Sequence, residues 1–532
     1  MFTSYEFIIF VTLCFVVYYL IPKKTQPYML LIVSYMIYFS LNGWYPVYLL
    51  VTTVTVYLAG RYIADVQEKS SAYITEHKRD MSRDEKKSYK AAAKKKMKRV
   101  LLVCLLFNIG ILAVTKYTNF FIQNINGNGC LHFFGSSREI SYLNILVPLG
   151  ISFYTFQSLG YLLDVYWKHG DVQKNFFKLA LFTSFFPQLG QGPISRYHDL
   201  SETLYSEHKF DWLQIRYGFE RMLWGYFKKL VIADRIGVAV QNIMADPDYY
   251  TGGYVFVGML FYATELYSDF TGGIDITIGI AQVFGIKVTE NFERPFFSKN
   301  IAEYWRRWHI TMGTWFRDYI FYPLSISGPF KTMTTWMKKH FGIGMAKRSS
   351  IYVATIIVWI TTGIWHGANW RYVAWGLCNG VVILISEEFS PLYQKFHKKF
   401  PKLTASFGYK CFQVLRTFLL MCCLRIFDRY ASCRQALQSF VHMFTKFNIH
   451  AFTKQEFIDM GLTQTDYIIV ITGVIIMFIV SLIARRQSAR EWIHQKLYIV
   501  RFVLFVALLF ATILLGQYGI GYDASAFIYN QF

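Results

Sequence analysis

The chain has 532 residues, of which 54% are hydrophobic, 19% aromatic and 17% charged, and its formal net charge is +22. Soluble domains carry roughly 25% charged and about 45–50% apolar residues, so this balance, with a mean hydropathy of +0.28, argues against a soluble protein. The positive charge lies beside apolar blocks and lacks base-stacking or groove-reading patterns, which speaks against nucleic acid as a partner.

Taken in chain order, the first apolar block is 5–21 (YEFIIFVTLCFVVYYLI). It has no basic leader and no small-residue cleavage site, and a second block follows at once at 28–41, so it reads as a span and not as a cleavable signal. Further blocks lie at 45–60, 100–122, 143–165, 351–385, 411–427, 466–484 and 498–516. A helix crosses a bilayer with roughly 20 apolar residues, a length most of these blocks approach. The runs are continuous rather than alternating, which disfavours spanning β-strands. The expected fold class is an all-α polytopic membrane protein.

Texture divides the chain into an N-terminal helical block, 1–140, a polar-interrupted centre, 141–385, and C-terminal spans with a tail, 386–532. Residues 67–99 hold 12 Lys/Arg against 5 Asp/Glu, and positive charge beside spans marks the cytoplasmic side and anionic lipid headgroups. This predicts a cytoplasmic basic loop over 61–99. Lys23 and Lys24 after the first span place the N-terminus outside. Loops 386–402 and 484–496 read as inside, which leaves 519–532 outside. The eight cysteines form no CxxC; Cys14, Cys104, Cys422 and Cys423 sit in apolar runs and read as buried thiols, with no metal site expected. The two halves do not look alike, so an inverted-repeat transporter has no support.

The centre carries the chemistry. In 183–197 (TSFFPQLGQGPISRY) prolines and glycines break an apolar context, predicting a re-entrant turn beside a cavity. In 298–323, Asn300 and Glu303 have the spacing of a capping box, and the tryptophans, tyrosines and arginines that follow suit an interfacial helix. His366 lies in TTGIWHGANWRYVAWG between embedded runs. An ionisable group at such depth is costly and points to function, and a neutral imidazole is suited to take a proton; a core histidine bonded to an amide such as Asn369 fits the same pattern. His309, taken alone, fits a structural place on the interfacial helix. Asp269 and Asp275 either line a polar cavity or pair with arginines. There is no G-x-S-x-G elbow, H-E-x-x-H zinc motif or P-loop, so catalysis would rest on histidine without metal or bound cofactor.

The segments FFPQLGQGPISRY, YSDFTGGIDITIGIAQVFGI, NFERPFFSKNIAEYWRRWHITMGTWFRDYIFYPL and GIWHGANWRYVAWG together resemble the membrane-bound O-acyltransferase (MBOAT) family. The likeness is to the bacterial branch that holds the membrane subunit of alginate O-acetylation and the teichoic-acid D-alanyltransferase. The resemblance implies a ring of tilted helices around a thinned catalytic chamber with re-entrant segments. It places the family's hallmark histidine on His366 and its second histidine, in the W-R-x-W-H pattern, on His309. It implies acyl transfer, most simply of acetyl, from a cytoplasmic thioester of coenzyme A or an acyl carrier protein to a hydroxyl of a cell-surface polysaccharide. His366 would take the hydroxyl proton, and His309 would orient the acyl group or polarise its carbonyl. An extracytoplasmic SGNH-type partner and residence in a bacterial cytoplasmic membrane are implied as well. The terminal FIYNQF resembles the end of the small peptide that accompanies the D-alanyltransferase, which makes Tyr529 a candidate acyl relay. D-alanyl transfer to teichoic acid, a polysaccharide or lipid transporter and a non-catalytic scaffold are the competing readings.

Overall fold

A backbone in lipid has to satisfy its own hydrogen bonds, and long helices do so in this chain. The computed structural model describes residues 2–127, 139–519, 522–523 and 527. Among these, five helices are long and apolar enough to cross a membrane: Pro46–Glu76, Arg83–Gly127, Gly328–His366, Gln464–Ile483 and Tyr498–Leu515. A sixth is formed if Trp370–Glu388 and Ser390–Lys399, which meet at 45°, make one bent span. The expectation of an all-α polytopic membrane protein is met.

Several expected boundaries move. The predicted basic loop is mostly helix, because Pro46–Glu76 and Arg83–Gly127 run on past their apolar parts. Alanine and lysine around 90–98 are strong helix formers, and Ser82 and Glu85 close a reciprocal cap at the start of the second helix. The apolar block at 351–385 is two helices, broken directly after His366. The block at 143–165 becomes helical only at Ile151. Gly150 precedes it with φ +70°, and a Cβ there would fall 1.9 Å from the Leu189 carbonyl oxygen.

The described chain divides into two units. One comprises Thr12–Asp211 and Phe284–Thr289. Within it, residues 179–195, which hold most of the stretch expected to turn, are all buried. Its polar groups are met from within: Phe186 N–H donates to Ser34 Oγ at 3.1 Å, Gln157 Nε2 to Phe182 O at 2.7 Å, and Gln188 Nε2 to Ser195 Oγ at 2.6 Å.

The other unit comprises Met1–Val11, Trp212–Val283 and Glu290–Phe532 and holds both candidate histidines. Its centre is the approach of Trp212–Tyr226 to Gly253–Val283. Gly218 faces Gly279 and Gly225 faces Gly272, so closely that a Cβ on Gly225 would lie 2.6 Å from the Gly272 carbonyl oxygen. Small residues let helix backbones touch in this way, and two such pairs fix the register. The contact continues into a π-helical segment, Phe227–Ala233, whose Lys228 and Lys229 both reach acids of Gly253–Val283.

Gly225→Ala should destabilise the purified protein by about 1–3 kcal/mol, the usual cost of overpacking. Gly110, which has open space around its Cβ position, should accept alanine without loss. Thermal unfolding midpoints in lipid nanodiscs check the contrast; equal midpoints for the two variants would contradict the close approach.

Candidate active site

The expected interfacial helix over 298–323 is broken. Asn300 caps its first part, Ile301–Arg307, by accepting from Glu303 N–H at 2.8 Å, while the Glu303 carboxylate reaches back to Lys299 N–H at 2.8 Å. The helix stops because Trp308 turns extended and pairs with Phe292 as a short antiparallel bridge. Glu293 N–H donates to Arg307 O and Ile310 N–H to Asn291 O, both at 2.9 Å. His309 then takes a left-handed conformation, φ +49° and ψ +54°, and starts the next helix, Ile310–Phe316. A non-glycine residue in that region costs on the order of 1–3 kcal/mol and persists only where its surroundings hold it.

What holds His309 is Asn291. Both are buried, at 1% exposure or less. Asn291 Oδ1 accepts from Thr311 N–H at 3.1 Å and from Thr311 Oγ1 at 2.9 Å, and it lies 3.2 Å from His309 Nδ1. Phe270 stands edge-on to the His309 ring at 5.1 Å and Trp365 at 5.8 Å. Burial, with the Arg425 guanidinium nearby, pushes the His309 pKa down to about 3, so the ring is neutral at physiological pH.

His366 ends the helix Gly328–His366 and is itself buried. Its ring lies 5.0 Å from Trp365 and 4.6 Å from Trp375, edge-on to both. The tight reversal that follows needs glycine: a Cβ on Gly367 would strike the Tyr372 ring at 2.4 Å. Asn369 uses its side-chain oxygen to cap Trp370–Glu388, accepting from Arg371 N–H at 3.0 Å. Trp365 therefore touches both histidines, which the sequence keeps 57 positions apart (366 less 309).

A buried cation ties the two breaks together. Arg425, on the helix Phe407–Arg429, donates to Asp428 at 2.7 Å. Its guanidinium stacks within reach of three indoles, Trp308 at 4.9 Å, Trp375 at 5.1 Å and Trp305 at 5.6 Å. Trp308 is the neighbour of His309, and Trp375 packs on His366. Neither Arg425 nor Asp428 nor Asn291 is among the sequence-derived candidates. The mark of the first two is an ionisable pair, spaced i and i+3, at the end of an apolar run; Asn291 carries no such mark.

Asp275 does both things the sequence allowed, pairing with an arginine and lining a cavity, whereas Asp269 pairs with a lysine. Asp275 accepts from Arg221 at 2.9 Å and Lys228 at 2.6 Å, and Asp269 from Lys229 at 2.5 Å. Asp275 also borders a cavity of about 490 Å³ that runs past Arg221, Lys228 and Glu290 to Phe292 and Ile310, beside His309. An adjoining cavity of about 320 Å³ reaches Arg490 and Arg501. Tyr529 lies outside the described residues.

Asp428→Asn should cost about 3–5 kcal/mol, because it leaves a buried guanidinium without its counter-charge, and Arg425→Lys should not restore the three-indole stack. Loss of near-ultraviolet tryptophan dichroism together with a lowered unfolding midpoint checks this; an unchanged spectrum in Arg425→Lys would show that the cage does not depend on the guanidinium.

The chain is similar to several known membrane enzymes. A probable alginate O-acetylase AlgI of Azotobacter vinelandii is 33% identical over 288 residues, which is 54% of this chain and 53% of that protein. A peptidoglycan O-acetyltransferase of Helicobacter pylori is 31% identical over 331 residues, 57% of this chain and 58% of that one. A teichoic acid D-alanyltransferase of Bacillus subtilis is 27% identical over 287 residues, 52% and 68%. The chain spans about half the length of the alginate and peptidoglycan relatives it matches. Residues 171–337, which include Asn291 and His309 and stop short of His366, match the family model described as MBOAT, membrane-bound O-acyltransferase family. Over residues 171–337 the resemblance seen in the sequence is thereby borne out, and that stretch is a membrane-bound O-acyltransferase domain.

Proposed function

We propose that this protein is an O-acyltransferase that moves an acyl group, most simply acetyl, from a cytoplasmic thioester to a hydroxyl, for O-acylation of a cell-surface polysaccharide. The observation that carries the reading is the meeting of His309 and His366 on one tryptophan, inside a buried aromatic shell, in a chain with this family's domain. The relatives named for alginate and peptidoglycan O-acetylation support a glycan acceptor, and the relative named for teichoic acid D-alanylation supplies the alternative.

The acceptor oxygen attacks the thioester carbonyl carbon. The C–O bond forms, the C–S bond breaks, and the imidazole of His366 takes the hydroxyl proton and returns it to the leaving thiolate. No protein-bound cofactor enters the reaction; coenzyme A or an acyl carrier protein brings the thioester as substrate. The two adjoining cavities, bordered by Arg221, Lys228, Arg490 and Arg501, suit the phosphate-bearing arm that either donor would insert. They lie beside the basic segment 484–496, the side read as cytoplasmic. An SGNH-type partner would receive the group outside, with Tyr529 as a relay on the C-terminal tail.

Surface-glycan ester content should return when cells lacking the gene are complemented with wild type. His366→Ala, at equal membrane abundance, should restore it at least about a hundredfold less well, the scale of a lost general base. Equal restoration would make His366 structural and move a transport or scaffold role to the front. Tyr529→Phe should lose transfer to the final acceptor; full transfer would remove the relay.

A further inference from the structure

We propose that Asn291 is a positioning residue that fixes His309 as the tautomer protonated on Nδ1, so that its Nε2 accepts a hydrogen bond from a neighbouring hydroxyl of the acceptor and donates nothing to the thioester carbonyl. The last clause rests on the acyltransferase reading; the tautomer does not.

The two ends of an asparagine amide look alike in shape, and chemistry must tell them apart. Here a backbone decides. Thr311 N–H is only a donor, and it points to one end of the Asn291 amide at 3.1 Å. That end has to be the oxygen, because an amide NH₂ accepts nothing. The same oxygen lies 3.2 Å from His309 Nδ1. A carbonyl oxygen cannot donate, so the hydrogen in that contact belongs to Nδ1. Rotation of the amide would set its NH₂ against the Thr311 N–H and break that bond, while the Thr311 hydroxyl can serve either end. Nor can Asn291 move away, since Asn291 O accepts from Ile310 N–H at 2.9 Å and the next residue is bridged to Trp308.

A neutral imidazole carries one hydrogen. With that hydrogen on Nδ1, Nε2 presents a lone pair. Stabilising a developing oxyanion takes a donor, so the carbonyl-polarising role expected from the sequence passes to other groups. His309 is left to accept a hydrogen bond from a neighbouring hydroxyl of the acceptor and so orient it, while His366 takes the one hydrogen of the attacking hydroxyl. The partition also explains the left-handed backbone at His309: that conformation brings residues 309, 310 and 311 all onto Asn291.

The test uses the full chain, labelled with ¹⁵N-histidine and reconstituted in lipid nanodiscs at pH 7. The chain has 12 histidines, and a His309→Gln sample identifies the His309 signals by their absence. A protonated Nδ1 with an unprotonated Nε2 is expected. The opposite tautomer, or an imidazolium, overturns the proposal. In acyl-transfer assays, Asn291→Ala should fall about a hundredfold, and Asn291→Asp, which keeps an oxygen facing Thr311 and Nδ1, should recover most of the loss. Full transfer by a folded Asn291→Ala overturns the positioning role; if that variant does not fold, the wild-type spectrum decides. The expected spectrum in a wild-type protein that transfers no acyl group leaves the tautomer standing and removes the function built on it.

Discussion

A guanidinium buried in a membrane protein has to be neutralised where it lies, and Arg425 meets that demand twice, with the Asp428 carboxylate and with three indole faces. Cation–π contacts gain strength when desolvated, to about 2 kcal/mol or more, and a buried ion pair tolerates little displacement. The three tryptophans are thus fixed by the cation, and their neighbours are fixed with them. Trp308 sets the turn that presents His309; Trp375 supplies the wall against which His366 lies. The candidate site is a consequence of this cage, because both histidines sit at breaks in helices, where a chain without such a clamp would be free to rearrange.

The same constraint recurs around Asp269 and Asp275. Two carboxylates on one apolar helix need cations, and the cations come from an adjacent stretch whose backbone can approach only because glycine faces glycine. Successive residues of an α-helix diverge by about 100°, which would send Lys228 and Lys229 in different directions. The wider π-helical winding of Phe227–Ala233 accompanies the turning of both toward Gly253–Val283, and π-segments are frequent at functional sites. Close packing and charge pairing therefore depend on each other: without the glycines the lysines fall short, and without the lysines the acids would not tolerate the approach.

Much of this was legible in the sequence, for reasons that differ by residue. Continuous apolar runs gave the helices, since the bilayer sets their length. The depth of His366 between two such runs marked it as a candidate, and the Asn300 cap was readable from spacing. The break at His309 was not readable, because it depends on Trp308 pairing with Phe292, sixteen positions away (308 less 292). The importance of Arg425 was hidden for a similar reason: its partners come from three separate elements, and only folding brings three tryptophans to one guanidinium. The basic loop misled because lysine-rich segments are hydrophilic yet helix-forming, so charge marks a membrane boundary without marking the end of a helix.

The two histidines differ in the helix ends they occupy, and that difference suits the separate roles proposed for them. His366 sits at the carboxyl end of Gly328–His366, where unpaired carbonyls gather negative partial charge and meet a positive charge favourably. A ring that takes a proton for part of a reaction cycle is well placed there. His309 stands at the amino end of Ile310–Phe316, where partial positive charge, burial and the Arg425 guanidinium all oppose an imidazolium. Such a ring can hold a hydroxyl without deprotonating it. Acyl transfer to a sugar hydroxyl needs both services, one group to keep the oxygen in line and another to remove its proton as the C–O bond forms. Two histidines in identical surroundings would compete for that proton; under the roles proposed for them, placement at opposite ends of two broken helices keeps them from doing so.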